Sequence, residues 1–271
     1  MSKNINKTQL SVSLNTIKDI FIYANEIIKA VEGSPDSDPI CEIRVNENRS
    51  ILNSNYHEGI DNTPYKSKQN CEPKHVISGS KAVTTFLELL RQGQKKAVSD
   101  GVKGCGPFLK LADYYKATDT DIFFLNSGEI SRLKYGEIDI VHLKTPTITE
   151  HLEDFDLSCC KTSMSIDGKD FWISLHCLYT MLTGNCFIPK YLESPDRFRN
   201  FYNNTNNISR RKDIESFYES KTTDKCTMMF TRISQRLQKY KERGYTFQYF
   251  ETDKALSWIT SNNMDSYMDG Y

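Results

Sequence analysis

Between His75 and Leu125 the sequence changes its period twice, and that stretch constrains the fold most. Val76 and Ile77 end an apolar run at Ser78-Gly79-Ser80, and Val83, Phe86, Leu87 and Leu90 then recur at helical spacing. Asp121 to Leu125 has the apolar density of a buried strand, entered through Asp119-Thr120-Asp121. A strand, a small-residue turn, a helix and a second strand call for a helix packed on a sheet. The turn itself has two readings. It is a plain tight turn, or it is a place where the backbone approaches a phosphate.

The flanking segments extend this pattern. Leu10, Leu14, Ile17, Phe21, Ala24, Ile28 and Val31 make one helical stripe, which Gly33 and Pro35 stop. The polar stretch from Gly33 to Pro73 holds two short strand candidates, CEIRV and SILNSNY. PFLKLADYYKA reads as a helix and GEIDIVHL as a strand. Thr145-Pro146 reads as the N-cap and first position of a short helix. FDLSCCKTSMSI reads as a further strand, joined to DFWISL by an Asp167-Gly168 hairpin. The expected fold class is α+β, an α/β-like mixed sheet with flanking helices, plus a mainly helical C-terminal lobe from about Leu175. Three regions follow: an N-terminal helix with a polar segment (1–73), a core (74–174) and the helical lobe (175–271).

The 271 residues suffice for an enzyme core, and 35 basic against 35 acidic residues make no case for a nucleic-acid or membrane partner by total charge. No apolar run reaches the roughly 18 residues of a spanning helix, and MSKNINKTQ lacks the apolar stretch of a signal peptide. The eight cysteines include no CxxC pair, and Cys159-Cys160 on a strand would face opposite ways, which argues against a zinc site. Reduced thiols fit an intracellular, cytoplasmic protein.

Asp119 and Asp121 are two apart at a strand entry, so their carboxylates share a face. Like charges held together call for a cation between them, and oxygen ligands of this type suit Mg²⁺ or Mn²⁺. Asp156, between Phe155 and Leu157, offers a third carboxylate from a later strand. The alternative for Asp119 is a turn residue or a cap.

The order of these features resembles the DNA polymerase β-type nucleotidyltransferase superfamily. The matching residues are Ile77-Ser78-Gly79-Ser80, Asp119-Thr120-Asp121-Ile122 and Phe155-Asp156-Leu157, within a span from about Lys74 to Phe250. FDLSCCK and RISQRLQKYKERGY also look like uncharacterised nucleotidyltransferase-like proteins of large DNA viruses, in which case the compartment is the host cytoplasm. The resemblance implies a nucleotidyltransferase core that binds a nucleoside triphosphate such as ATP. Gly79 and Ser80 would seat the triphosphate at a helix N-terminus. Asp119, Asp121 and Asp156 would act as metal ligands and catalytic acids. One departure is the 38 residues between Ser80 and Asp119, where most of the superfamily has about a dozen.

Between Gly184 and Phe250 there are 13 Lys or Arg against 7 Asp or Glu, so the neutral total hides a basic lobe. Arg232, Arg236, Lys239 and Arg243 fall on one narrow helical face beside the stripe of Phe230, Ile233, Leu237 and Tyr240. With the interleaved aromatics Tyr191, Phe198, Phe201, Tyr202, Phe217 and Tyr218, this predicts an exposed stripe that binds nucleic acid, and hence an RNA acceptor ahead of a protein or a small molecule. The competing reading is a solvated face on a core helix. The rival functions are a nucleotidyltransferase-fold binding protein without the reaction and a metal-dependent nuclease using the same acids.

Overall fold

The computed structural model describes residues 17–45, 73–99, 117, 119–209 and 222–254. Helices α1 (Ile17–Ile22) and α2 (Ala24–Gly33) carry the N-terminal stripe and bury Ile17, Ile20, Phe21, Ala24, Ile27 and Val31. The helix breaks at Tyr23, and beyond it Ile27 is fully buried while Ile28 packs half-buried against the same core. Leu10, Leu14, SILNSNY and PFLKLADYYKA up to Lys116 lie outside the described residues.

Seven strands form one mixed sheet: β1 (Ile40–Arg44), β2 (His75–Ser78), β3 (Thr120–Phe124), β4 (Ser131–Tyr135), β5 (Ile138–His142), β6 (Thr162–Met164) and β7 (Asp170–Ser174). Their order is β1-β7-β6-β2-β3-β5-β4, antiparallel throughout except for the parallel pair β3 and β5. The β6–β7 hairpin turns at Gly168, whose φ of 70° only glycine adopts without strain. β1 comes from the N-terminal segment, yet it is an edge of this same sheet.

Helix α3 (Ser80–Ser99) leaves β2 through Gly79 and buries Val83, Phe86, Leu87 and Leu90 completely. Val76 and Ile77 are adjacent on β2 and so point to opposite faces. Ile77 joins a core made with α1, α2 and α3 and with α5 (Leu175–Thr183). Val76 joins Phe123, Leu125, Leu143, Ile148 and Leu152 under α4 (Ile148–Glu153). The N-cap of α4 is Thr147, not Thr145. The Thr147 Oγ1 accepts the Glu150 N–H at 3.1 Å, a Thr-x-x-Glu cap that outcompetes the Thr-Pro start.

One further expectation is corrected. Of FDLSCCKTSMSI only Thr162–Met164 is strand, because Ser158–Cys160 forms a 3₁₀ turn with both cysteines buried. The C-terminal part combines its helices with two short strands. Besides α6 (Pro195–Ser209) and α7 (Thr222–Glu242), it holds a parallel pair, β8 (Asn185–Pro189) and β9 (Thr246–Phe250). Cys159, Cys160, Cys186, Phe198, Met229 and Ile233 belong to its core. Among the described residues no helix is long and apolar enough to cross a membrane.

Candidate active site

Gly79 takes φ +71° and donates its N–H to Thr162 O at 3.0 Å, so β2 swings directly into α3. A Cβ at Gly79 would come within 3.9 Å of Asp121 Oδ2 and 3.6 Å of the Phe155 ring. The residue before it, Ser78, lies opposite Asp121 in the β2–β3 register. The turn and the second acid of Asp-x-Asp therefore meet at one edge of the sheet. Asp119 is exposed just ahead of β3, near enough for its charge to act on Asp121.

The parallel pairing brings in an acid that the sequence reading passed over. Asp139 on β5 sits directly beside Asp121 on β3. It is buried, and Arg132 on the edge strand β4 grips it, with Nε 2.9 Å from each carboxylate oxygen. That pair holds the Asp139 carboxyl below the usual range. Asp121 moves the other way, to about 6. Burial is the largest cause, followed by the charges of Asp119 and Asp139, with Arg132 and Arg236 opposing them.

Asp156 is not on a strand and does not lie in register with Asp121. It sits in the loop before the 3₁₀ turn, facing α7, where Arg236 Nη1 lies 2.6 Å from Asp156 Oδ1. The contact is an ion pair without the alignment of a hydrogen bond, since Oδ1 has no hydrogen-bond partner. The pattern of an acid between apolar residues occurs twice, at Ile138-Asp139-Ile140 and at Phe155-Asp156-Leu157. Only the β3–β5 register distinguishes them. The sequence signal for Asp139 was its place on an alternating strand directly after a hairpin.

The basic residues of α7 do not form the exposed stripe expected. Lys239 is exposed, while Arg232, Arg236 and Arg243 are half-buried. Arg243 stacks on the Tyr240 ring at 4.9 Å, and its Nη1 donates to Ser80 Oγ at 3.5 Å. Tyr240 is buried, with its hydroxyl 3.4 Å from Ser80 Oγ, and it accepts the Cys160 thiol at 2.8 Å. Burial pushes the Cys160 thiol up, but the Cys159 hydrogen bond and the Arg236 charge outweigh it and bring it to about 7. FDLSCCK and RISQRLQKYKERGY, distant in sequence, thus pack on each other above the turn. The aromatics of the lobe are largely core: Tyr191 and Phe198 are buried, and Tyr191 stacks on Phe201 at 3.8 Å. Phe217 and Tyr218 lie outside the described residues.

Among the described residues no three His, Cys, Asp or Glu side chains are grouped to enclose a metal ion. No protein-family model, no curated protein and no solved structure matches the chain.

Proposed function

We propose that this chain is a Mg²⁺- or Mn²⁺-dependent nucleotidyltransferase that moves a nucleoside monophosphate from a triphosphate to an acceptor. The observation that carries the reading is the meeting of the Gly79-Ser80 turn with Asp121, whose charge is undercompensated beside Asp119 and Asp139. Mg²⁺ commonly takes one or two protein carboxylates and completes its shell with water and substrate phosphates. Asp119 and Asp121 are a hard-oxygen pair of that kind, so the donor set fits the ion without a protein cage. When bound, the cation supplies charge neutralisation on the phosphates.

The chain's own residues do the rest. The turn and the N-terminus of α3 seat phosphate oxygens, with Ser80 Oγ as a donor. Arg243 and Arg236 lie on the same side and add positive charge. Asp139, held in place by Arg132, keeps the local field negative and draws the cation to Asp121. Catalysis is then mainly positioning and electrostatic stabilisation. The acceptor is RNA, a protein side chain or a small molecule.

A second reading is favoured by the two arginines. Arg132 occupies both oxygens of Asp139, and Arg236 pairs with Asp156, which suits a nucleotide-binding protein that has lost the transfer step. One experiment separates them. The protein is incubated with each α-labelled nucleoside triphosphate, Mg²⁺ or Mn²⁺, and mixed RNA and protein acceptors. Label transfer that Asp121→Asn abolishes supports the transferase. Metal-dependent triphosphate binding without transfer supports the binding protein. Nucleotide release from labelled RNA without triphosphate consumption supports a nuclease, and no interaction with nucleotide refutes the reading.

A further inference from the structure

Beneath the turn lies a buried polar tie that the proposed reaction does not use. Ser78, the last residue of β2, is fully buried. Its hydroxyl is 2.7 Å from Ser163 Oγ on β6 and 3.0 Å from His151 Nε2 on α4. The next residue is Gly79, strapped to β6 by its own N–H. Three elements are therefore pinned at one point immediately before the chain turns toward Asp121.

His151 is also fully buried, wedged between the rings of Phe123 at 4.5 Å and Phe155 at 5.2 Å. Its Nδ1 has no hydrogen-bond partner. An orphaned buried N–H is rarer than an orphaned acceptor, so the proton belongs on Nε2. Nε2–H then donates to Ser78 Oγ, and Ser78 O–H donates to Ser163 Oγ. Burial drives the imidazole down to about 3, so the ring stays neutral at ordinary pH and the direction of the tie is fixed. Packing alone does not account for the histidine. A phenylalanine would fill a slot between two aromatic rings without leaving a buried nitrogen unmatched. Phe155 carries the same contact onward, since its ring lies against Gly79.

We propose that His151 is a positioning residue for the Gly79-Ser80 turn: through Ser78 it holds the start of α3 in place against Asp121. The functional half of this inference rests on the reading that the turn seats phosphates. The tie itself does not.

The test uses three variants of the full chain. His151→Phe removes the donor and keeps a ring between Phe123 and Phe155. His151→Gln restores an N–H donor. Ser163→Ala cuts the tie from the other side with a smaller change. Amide hydrogen exchange is measured over residues 79–84, with α5 as the internal control, and the ATP dissociation constant is measured with Mn²⁺. Losing one such hydrogen bond should speed exchange at 79–84 about three- to tenfold in His151→Phe and Ser163→Ala, with α5 unchanged. ATP binding should weaken by a similar factor, and His151→Gln should recover most of both. Unchanged exchange at 79–84 in the folded variants removes the tie, whether or not ATP binds. Faster exchange with unchanged ATP affinity makes the tie merely structural and overturns the positioning role. A wild-type protein that binds no nucleotide refutes the phosphate seat and the positioning role with it, while the exchange data still decide the tie.

Discussion

At Asp121 the charges around one carboxyl give a stability consequence with a definite sign. Its folded pKa, about 6, stands above the ordinary 3.8 of the unfolded chain. A raised folded pKa stabilises the protein below about 3.8, and that contribution is lost as pH rises through 6. At pH 7 the ionised Asp121 is therefore a cost, borne beside Asp119 and Asp139 and only partly relieved by Arg132 and Arg236. Asp121→Asn should raise the stability of the metal-free protein at pH 7 by about 1–3 kcal/mol, after allowance for partial exposure. It should also abolish stabilisation by Mn²⁺ with ATP. Thermal melts in chelator and in Mn²⁺ with ATP check both, and a destabilised variant would mean that the carboxylate is structural. His151 has the opposite sign. Burial lowers its folded pKa from 6.5 to about 3, so its contribution is complete above 6.5 and is lost as pH falls through that window. The loss is about 1.4 kcal/mol per pH unit, and His176, also lowered mainly by burial, adds to it. Urea unfolding at pH 7 and pH 5 should show a shallower loss in His151→Phe than in the wild type.

Among the elements, those with one buried face were legible and those without were not. The α3 stripe is wholly buried because 3.6-residue periodicity maps directly onto a helix lying on a sheet. β4 escaped notice because SRLKY is an edge strand with Arg132, Leu133, Lys134 and Tyr135 all exposed, which leaves no apolar alternation to read. FDLSCCK misled in the other direction. Leu157, Cys159 and Cys160 are all buried, and dense burial cannot distinguish a 3₁₀ turn from a strand. The site followed the same division. Gly79, Ser80, Asp119 and Asp121 were readable because their geometry is local, whereas Asp139 depends on a parallel pairing between separate strands. Helix α7 makes the difference measurable. Arg236→Ala leaves the mostly buried Asp156 without its cation and should cost about 1–3 kcal/mol, less than a fully buried pair because Arg236 is 43% exposed. Lys239→Ala, one turn along and exposed, should stay within about 0.5 kcal/mol. Equal costs in urea titrations would remove the Arg236–Asp156 pair from the account.

At the scale of the whole molecule, the sheet, its helices and the C-terminal part converge on the turn after β2. Asp121 and Asp139 come from the sheet, Asp156 from the loop after α4, and Arg236, Tyr240 and Arg243 from α7. A basic lobe read from charge counts alone predicts four cations for a nucleic-acid backbone. The fold instead directs Arg236 to Asp156 and Arg243 to Ser80, so a strand meets no more than two of the four without breaking those contacts. Each phosphate contact with a single strand contributes about 0.7 to the slope of log affinity against log salt. Four contacts would give a slope near 3, and two give about 1.4. Fluorescence anisotropy with a single-stranded RNA at several salt concentrations should therefore return weak binding and a slope no steeper than about 1.4. Lys239→Ala should lower that slope by about 0.7, and Arg236→Ala should leave it unchanged while lowering stability. A slope near 3 that falls on replacing Arg236 would show that RNA draws the arginine away from Asp156, and would restore the polynucleotide as the favoured acceptor. A shallow slope with intact triphosphate binding instead assigns the α7 arginines to the phosphates of the small substrate.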